Sequence, residues 1–316
     1  MAIERPALKD DSPAPATRGA ARTSRERLGL GLVALAVLWQ GTGTAVVGQA
    51  VPQDLATFAT FVAFLVVALA SVAALLVVRR RSVGAGRLRP RARWRDVVVA
   101  NAFTAAAFGA FYVAVTLVPP TAASVLEVGT APIVVALVAA AAVRRPAGRG
   151  YPGIVLAVCA GIAWISISAQ VGQTPGETVL GIALCVVAGG GVAGVLVTSH
   201  RFARQGFTAL ELAASRFHLA WVVSGFLAIP ALAGGVTLDR LGPTALIATT
   251  CIALPILPLQ AGIMLCKPLD AALVLAVLPA VVLGAESVLG GGLDPLLGGA
   301  MAVLVGVCVA GALRRR

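Results

Sequence analysis

One carboxylate stands inside a long apolar stretch of the chain, where an ionisable group could carry chemistry. Glu127 lies in such a stretch, a few residues before Pro132. A proline cannot donate a hydrogen bond to the carbonyl of the fourth residue before it, so the Val128 carbonyl is left free beside the Glu127 carboxylate. This pair of acceptors suits a cation, an amino group or a proton. The alternative is a glutamate near the outer membrane face that is paired or protonated.

Arg216 is a cation inside another apolar stretch. An ionisable group at the middle of a bilayer costs about 2.5–3.5 kcal/mol, so it needs a partner or a wet cavity. Three roles are open for Arg216: its side chain reaches the headgroups, pairs with Glu127 as a charge partner, or meets a substrate carboxylate. His218 points away from Arg216, and we expect it to be packed and neutral rather than a proton relay.

Further polar and aromatic residues on apolar stretches are candidates for the wall of a substrate cavity, although each is also compatible with helix packing. With Glu127 they form the predicted substrate-binding set: Trp39, Gln40, Asn101, Tyr112 and Gln260. Pro132 and Pro279 are predicted to act as hinges or fixed kinks. Glu211 and Glu286 lie near the ends of apolar stretches and are expected to be solvated or structural.

Two kinds of chemistry are absent from the sequence. Neither Lys9 nor Lys267 follows a glycine, so no phosphate-binding loop of the G-x-x-x-x-G-K-[ST] type exists. The two histidines and five cysteines have no metal-binding spacing, and the cysteines lie in or beside apolar stretches. We therefore expect no cofactor, no metal and no enzymatic activity.

The composition decides which elements position these residues. Of 316 residues, 59% are hydrophobic and only 12% are charged, and the mean hydropathy is +0.95. Soluble domains carry about 25% charged residues, so this chain could not cover a water-exposed surface. A soluble enzyme, a disordered protein and a disulfide-rich secreted domain are excluded, and an all-α integral membrane protein is predicted.

Ten apolar runs are each long enough for a transmembrane helix, which needs about 20 residues. The first is longer than a signal-peptide core of about 7–15 residues, so we expect it to be retained. Residues 1–27 are predicted to be a disordered tail. The ten runs are 28–50, 55–78, 97–117, 121–143, 153–170, 179–198, 208–232, 244–265, 269–289 and 296–313.

The net charge of +12 is distributed very unevenly over the predicted loops. Of the 25 lysines and arginines, all but Arg216 and Arg240 fall on one side of the ten spans. Positive loops stay inside the cell, so both termini are predicted to be cytoplasmic. The excess of arginine over lysine indicates a GC-rich genome, which is typical of a bacterium. We therefore expect the protein in a bacterial plasma membrane. Contact with anionic membrane lipid explains the arginines better than nucleic acid does.

The second half of the chain repeats features of the first. Residues 132–135 (PIVV) recur as 279–282 (PAVV), and Pro120 has a counterpart in Pro268. A stripe of small residues recurs as well. Five spans per half is an odd number, so residues 28–170 and 171–316 would form a 5+5 inverted repeat, as in many secondary transporters. The stripes permit close helix packing or a homodimer face; they are Gly153, Ala157 and Gly161, and Gly298, Ala302 and Gly306.

Several of these segments resemble one known family. Residues 37–41 (VLWQG) resemble its L-W-G opening, and 216–220 (RFHLA) resemble its R-F-x-x-A segment. Pro279 followed by 289–291 (LGG) resembles a proline leading to L-G-E, with glycine in place of the glutamate. Leu126–Glu127 before Pro132 is similar to a segment of threonine and homoserine exporters. Over about residues 28–313 the chain thus resembles the EamA-like family of the drug/metabolite transporter superfamily.

The resemblance implies a central cavity lined by runs 1, 3, 4, 6, 8 and 9, with runs 5 and 10 at the periphery. It also implies a secondary transporter that moves a small polar metabolite, such as an amino acid, by alternating access, with export as the commoner direction. Two alternatives remain open. One is a non-transporting membrane scaffold or assembly subunit. The other is a membrane enzyme acting on a lipid-linked substrate, although arginines and His200 stand where such an enzyme would have acidic or histidine clusters.

Overall fold

The computed structural model describes residues 15–81, 93–143, 159–161, 163–164, 174–266, 271, 274–292 and 295–313. Across these ranges the chain is almost entirely helical and contains no strand. The helices are α1 Pro15–Ala50, α2 Ala56–Arg81, α3 Trp94–Ala114, α4 Pro120–Val143, α5 Pro175–Arg204, α6 Ala209–Arg216, α7 His218–Ala233, α8 Leu238–Leu265, α9 Leu278–Glu286 and α10 Pro295–Leu313.

Short irregular turns interrupt this pattern. A 3₁₀ turn, Gln53–Leu55, precedes α2. Wider π turns lie inside α3 at Ala105–Gly109 and inside α8 at Ala248–Ala253, and another, Ser287–Gly291, follows α9. Such turns often mark functional sites because they displace the side chains around them.

In the part of the chain that the structure describes, six segments are long and apolar enough to cross a membrane. The all-α class and the multi-pass membrane character predicted from composition are therefore confirmed. The ten-span count and the inverted repeat stay predictions. The six segments are Ser24–Ala50, Gln53–Arg81, Trp94–Ala114, Pro175–Arg204, Ala209–Ala233 and Leu238–Leu265.

The helices follow the predicted runs closely, with one clear difference at the start. Helix α1 begins at Pro15, so residues 15–27 continue the helix instead of belonging to a disordered tail. Alanine and arginine supply seven of these thirteen residues, and both favour helix. Of the predicted run 153–170, only 159–161 and 163–164 are described, and they are helical. Gly153, Ala157 and Pro268 of the proposed repeat, and residues 1–14, lie outside the described residues.

The helices pack in a few extensive pairs, and α1 takes part in two of them. It lies against α8 and α9, while α5 packs on α3 and α4, α2 packs on α6 and α7, and α4 packs on α9. Two glycines permit a close approach of α1 and α8: a Cβ atom at Gly43 would lie 2.6 Å from the Cys251 carbonyl oxygen, and one at Gly262 would lie 2.7 Å from the Gly29 carbonyl oxygen. Small residues thus let α1 and α8 cross with their backbones nearly in contact.

Polar contacts tie the helix ends together. At what we call the arginine-rich end, where α2 finishes in Arg79, Arg80 and Arg81, Arg201 of α5 pairs with Asp96 of α3 at 3.3 Å. At the opposite end, Arg240 Nη2 lies 2.9 Å from both carboxylate oxygens of Asp54.

Glu211 and Glu286, which we expected to be solvated or structural, each cap the start of a helix. Glu211 forms a reciprocal capping box with Thr208 at the start of α6. Glu286 of α9 accepts hydrogen bonds from Thr121 in the first turn of α4, from the backbone N–H at 3.2 Å and from the hydroxyl. Glu286 therefore joins α9 to α4 at the opposite end of the bundle.

Candidate functional site

The predicted seventh span is broken at Phe217, whose backbone (φ −96°, ψ 1°) lies outside the helical region. Asn101 of α3 inserts its amide at this break. Its Nδ2 donates to the Ser215 carbonyl at 2.7 Å, and its Oδ1 accepts from the Leu219 N–H at 3.0 Å. In an unbroken helix, Leu219 N–H would bond to Ser215. Asn101 therefore replaces a helical hydrogen bond and holds α6 and α7 apart.

Both ends of the Asn101 amide are thus used by backbone groups, since Nδ2 also donates to the Val97 carbonyl at 2.9 Å. Asn101, which we predicted as a substrate-binding residue, is placed where it supports the break. His218 begins α7 and is exposed on the outside of the bundle rather than packed. Its Nε2 lies 2.9 Å from the Ala214 carbonyl oxygen, so this nitrogen carries the proton.

Arg216 ends α6, immediately before the break, and points into the bundle with 1% of its surface exposed. Its Nε donates to Thr104 Oγ1 at 2.9 Å, and its Nη1 donates to Ser199 Oγ at 2.9 Å and to Gln260 Oε1. The guanidinium carbon also lies 5.5 Å from the centre of the Phe217 ring. We call Arg216, Thr104, Ser199 and Gln260 the arginine cluster.

The oxygens around Arg216 all belong to neutral groups. Among the described residues, no carboxylate forms an ion pair with the guanidinium, so Arg216 neither pairs with Glu127 nor reaches the headgroups. Two donors of the cluster, Arg216 Nη2 and Gln260 Nε2, are buried and have no hydrogen-bond partner among the residues that the structure describes. Such groups are costly in an apolar interior. The cluster therefore carries a buried positive charge with donor capacity to spare.

Glu127 is the centre of a second polar cluster. Its side chain is 4% exposed, and its carboxylate has no hydrogen bond or ion pair to the part of the chain that the structure describes. The carboxylate lies close enough to act electrostatically on the Tyr112 hydroxyl and on the Cys185 thiol. Gln40 lies beside Tyr112. Thr44 lies one helical turn after Gln40 on the same face of α1. We call Glu127, Tyr112, Gln40 and Thr44 the glutamate cluster.

The glutamate cluster has acceptors to spare. Gln40 Oε1, Thr44 Oγ1 and the Tyr112 hydroxyl are buried and have no hydrogen-bond partner in the part of the protein that the structure describes. Together with the carboxylate they could surround an ammonium group, a metal cation or a proton. The local chemistry is thus the reverse of that in the arginine cluster.

The two clusters lie at different depths. Helix α3 supplies Thr104 to the arginine cluster and Tyr112 to the glutamate cluster, and eight residues of helix separate their backbones by about 12 Å. The arginine cluster is nearer the arginine-rich end, since Ser199 is close to the end of α5. The glutamate cluster is nearer the opposite end, because Glu127 follows closely on the start of α4 at Pro120.

The remaining predicted site residues have different surroundings. Trp39 is 39% exposed, unlike the buried Gln40 that follows it. Pro279 lies in the first turn of α9, where a missing N–H costs nothing, directly after a turn at residues 276–277. Pro132 lies inside α4, whose helix continues to Val143. The hinge roles of both prolines stay predictions.

Sequence reasoning missed the hydroxyl groups of the site. Thr104, Ser199 and Thr44 look like ordinary small polar residues of apolar helices, which commonly bond to their own backbone. One signal was present: Asn101 and Thr104 are three residues apart and share a face of α3. That face meets the break at Phe217 and the side chain of Arg216.

Long apolar helices define the class, a multi-pass helical membrane protein. The bundle buries two ionisable side chains, Arg216 and Glu127, that form no ion pair within the described part of the chain. No family model and no curated protein matches the sequence. Six chains of solved structures do match. One of them is a crystal structure that superposes with a TM-score of 0.58 over 92% of this chain and 96% of that chain, at 21% sequence identity. This likeness extends over nearly the whole of both chains and concerns the fold alone.

Proposed function

We propose that the protein is a secondary transporter that moves a small polar metabolite, such as an amino acid, across a bacterial plasma membrane by alternating access. One observation carries the proposal: Arg216 and Glu127 are both buried within the bundle, and neither forms an ion pair with any residue that the structure describes. An ionisable residue inside a membrane protein is expensive and typically marks a pathway for a substrate, an ion or a proton. A scaffold subunit would have no need of two such charges.

The packing of the helices supports the proposed 5+5 inverted repeat. If each run corresponds to the run five later, α1 corresponds to α5, α3 to α8 and α4 to α9. The contact of α1 with α8 then corresponds to that of α5 with α3, and the contact of α1 with α9 to that of α5 with α4. The π turns also fall in corresponding helices, α3 and α8. A two-fold relation between the halves requires such reciprocity.

Alternating access requires contacts that close one end of the bundle and break when that end opens. The two described ends each have such contacts between different helices. Asp96 and Arg201 join α3 to α5 at the arginine-rich end, which we propose is cytoplasmic. Glu286 and Thr121 join α9 to α4 at the other end. Helices α4 and α9 correspond to one another in the proposed repeat, so this contact lies where the two halves meet.

The test is uptake by the purified full-length protein in liposomes, measured against a panel of amino acids and drugs with and without a pH gradient. Saturable flux of any one compound, absent from protein-free liposomes, is the expected result. Binding of a panel compound without any flux would favour a non-transporting membrane protein. Absence of both binding and flux across the panel would remove the support for a transporter of small polar metabolites.

A further inference from the structure

We infer that Arg216 and Gln260 form a binding site for a carboxylate, in which Arg216 Nη2 and Gln260 Nε2 donate to the anion. The site would take the carboxylate of the transported metabolite, and in that respect it rests on the proposed function. Binding itself can be measured without transport, so the two ideas can fail separately.

The first support is the pair of unused donors. Arg216 Nη2 and Gln260 Nε2 are both buried, and neither has a partner in the described ranges of the chain. Their side chains are 1% and 4% exposed. They belong to two planar groups that already touch, because Arg216 Nη1 donates to Gln260 Oε1. The unused N–H groups therefore lie close together, and a single ligand with two acceptor oxygens could satisfy both.

The second support is the way in which the guanidinium is held. Thr104 accepts from Nε and Ser199 accepts from Nη1, each at 2.9 Å. Two bonds from different helices fix a planar group in position, so the direction of Nη2 is fixed as well. Neither hydroxyl neutralises the charge. The guanidinium of Arg216 is thus held in a fixed orientation, and its positive charge is not neutralised by a carboxylate of the described residues.

Charge balance selects the class of ligand. A monocarboxylate carries one negative charge and two oxygens in a plane, which matches the planar donors of arginine. It would cancel the charge of Arg216. A phosphate dianion would leave a surplus negative charge in the bundle. Glu127 of α4 belongs to the other cluster, and the two clusters are about 12 Å apart along α3, so Glu127 does not compensate Arg216.

The experiment compares acids with their amides on the purified full-length protein in detergent, using the thermal unfolding midpoint as the readout. The probes are propionate with propionamide, L-alanine with L-alaninamide, and L-threonine with L-threoninamide. We expect at least one acid to raise the midpoint while its amide does not. In Arg216→Gln the apparent affinity for that acid should fall roughly 10- to 100-fold, as for the loss of a charge-assisted hydrogen bond.

A second variant guards against the case in which Arg216→Gln does not fold. Gln260→Glu places a carboxylate against the guanidinium, so it should raise the midpoint of the ligand-free protein and remove the response to acids. Ser224→Ala is the matched control, because Ser224 is a buried hydroxyl of α7 that bonds to the Ala220 carbonyl and not to the site. It should respond to acids as the wild-type protein does.

Three results would overturn the carboxylate site: no acid raises the midpoint of the wild-type protein, acids and amides act equally, or Arg216→Gln binds the acid with unchanged affinity. The transporter proposal fails differently. If carboxylate binding depends on Arg216 but no flux is seen in liposomes, the carboxylate site is supported and the transporter proposal is rejected. If compounds are transported and their affinity does not depend on a carboxylate, the transporter proposal is supported and the carboxylate site is rejected.

Discussion

The side chain of Asn101 in α3 accepts a hydrogen bond from the backbone N–H of Leu219 in α7 at 3.0 Å. A side chain from one helix thereby completes the backbone of another at the point where that backbone is broken. The break is what separates α6 from α7 and leaves Arg216 as the last residue of α6, pointing into the bundle. Asn101 therefore acts on the arginine cluster through the backbone and not by touching the guanidinium.

Replacing Asn101 should destabilise the break. Asn101→Leu leaves the Ser215 carbonyl and the Leu219 N–H without their partner, and each buried unsatisfied group costs about 1–3 kcal/mol. We expect a lower thermal unfolding midpoint and faster hydrogen exchange in a peptide containing Leu219. Asn101→Asp keeps the acceptor for the Leu219 N–H, so its unfolding midpoint should lie between those of the wild-type protein and Asn101→Leu. Unchanged exchange at Leu219 in Asn101→Leu would show that the break does not depend on this side chain.

Glu127 should determine how transport depends on pH. Glu127→Gln keeps the size of the side chain but cannot gain or lose a proton, so the dependence of uptake on the pH gradient should disappear while some downhill flux remains. Uptake in liposomes over a series of pH gradients measures this. Glu177→Gln is a suitable control, because Glu177 caps the start of α5 in an exposed position. If Glu127→Gln retained full transport and an unaltered pH profile, Glu127 would have no part in the mechanism.

The two polar contacts at the end opposite the arginine-rich end should differ in their contribution to stability. Asp54 and Arg240 are about half exposed, and exposed ion pairs contribute roughly 0–1 kcal/mol. Asp54→Asn should therefore shift the unfolding midpoint little. Glu286→Leu removes the acceptor of two Thr121 donors in a partly buried place and should cost about 1–3 kcal/mol. Equal effects of the two substitutions would contradict this order.

The sequence was sufficient to predict the helical membrane class, because repeated runs of about 20 apolar residues with few charges are typical of transmembrane helices. It also singled out Glu127, Arg216 and Gln260, since polar groups stand out in such helices. The break at Phe217 could not be predicted from the sequence. The residues around that position contain neither proline nor glycine, and the break accompanies a contact from Asn101, more than a hundred positions away in the chain. A tertiary contact between distant residues produces no periodic pattern in the sequence, so it could not be predicted.

The crossing of α1 and α8 offers a prediction with an internal control. An added Cβ atom at Gly43 would lie 2.6 Å from the Cys251 carbonyl oxygen and 2.9 Å from its Cβ atom, which is closer than packed atoms allow. The neighbour at the short distance is backbone, so Gly43→Ala must push the two helices apart and loosen the contacts near Tyr112 and Thr44. A lower unfolding midpoint and weaker binding of any panel compound should result.

Gly31 lies on the same helix, but nothing is within 4 Å of a Cβ atom there. Alanine is favoured over glycine in a helix by about 1 kcal/mol, so Gly31→Ala should leave the unfolding midpoint unchanged or raise it. The two substitutions add the same methyl group to the same helix and differ only in what that group meets. A midpoint that rises in both variants would mean that α1 and α8 do not cross as closely at Gly43 as this packing requires.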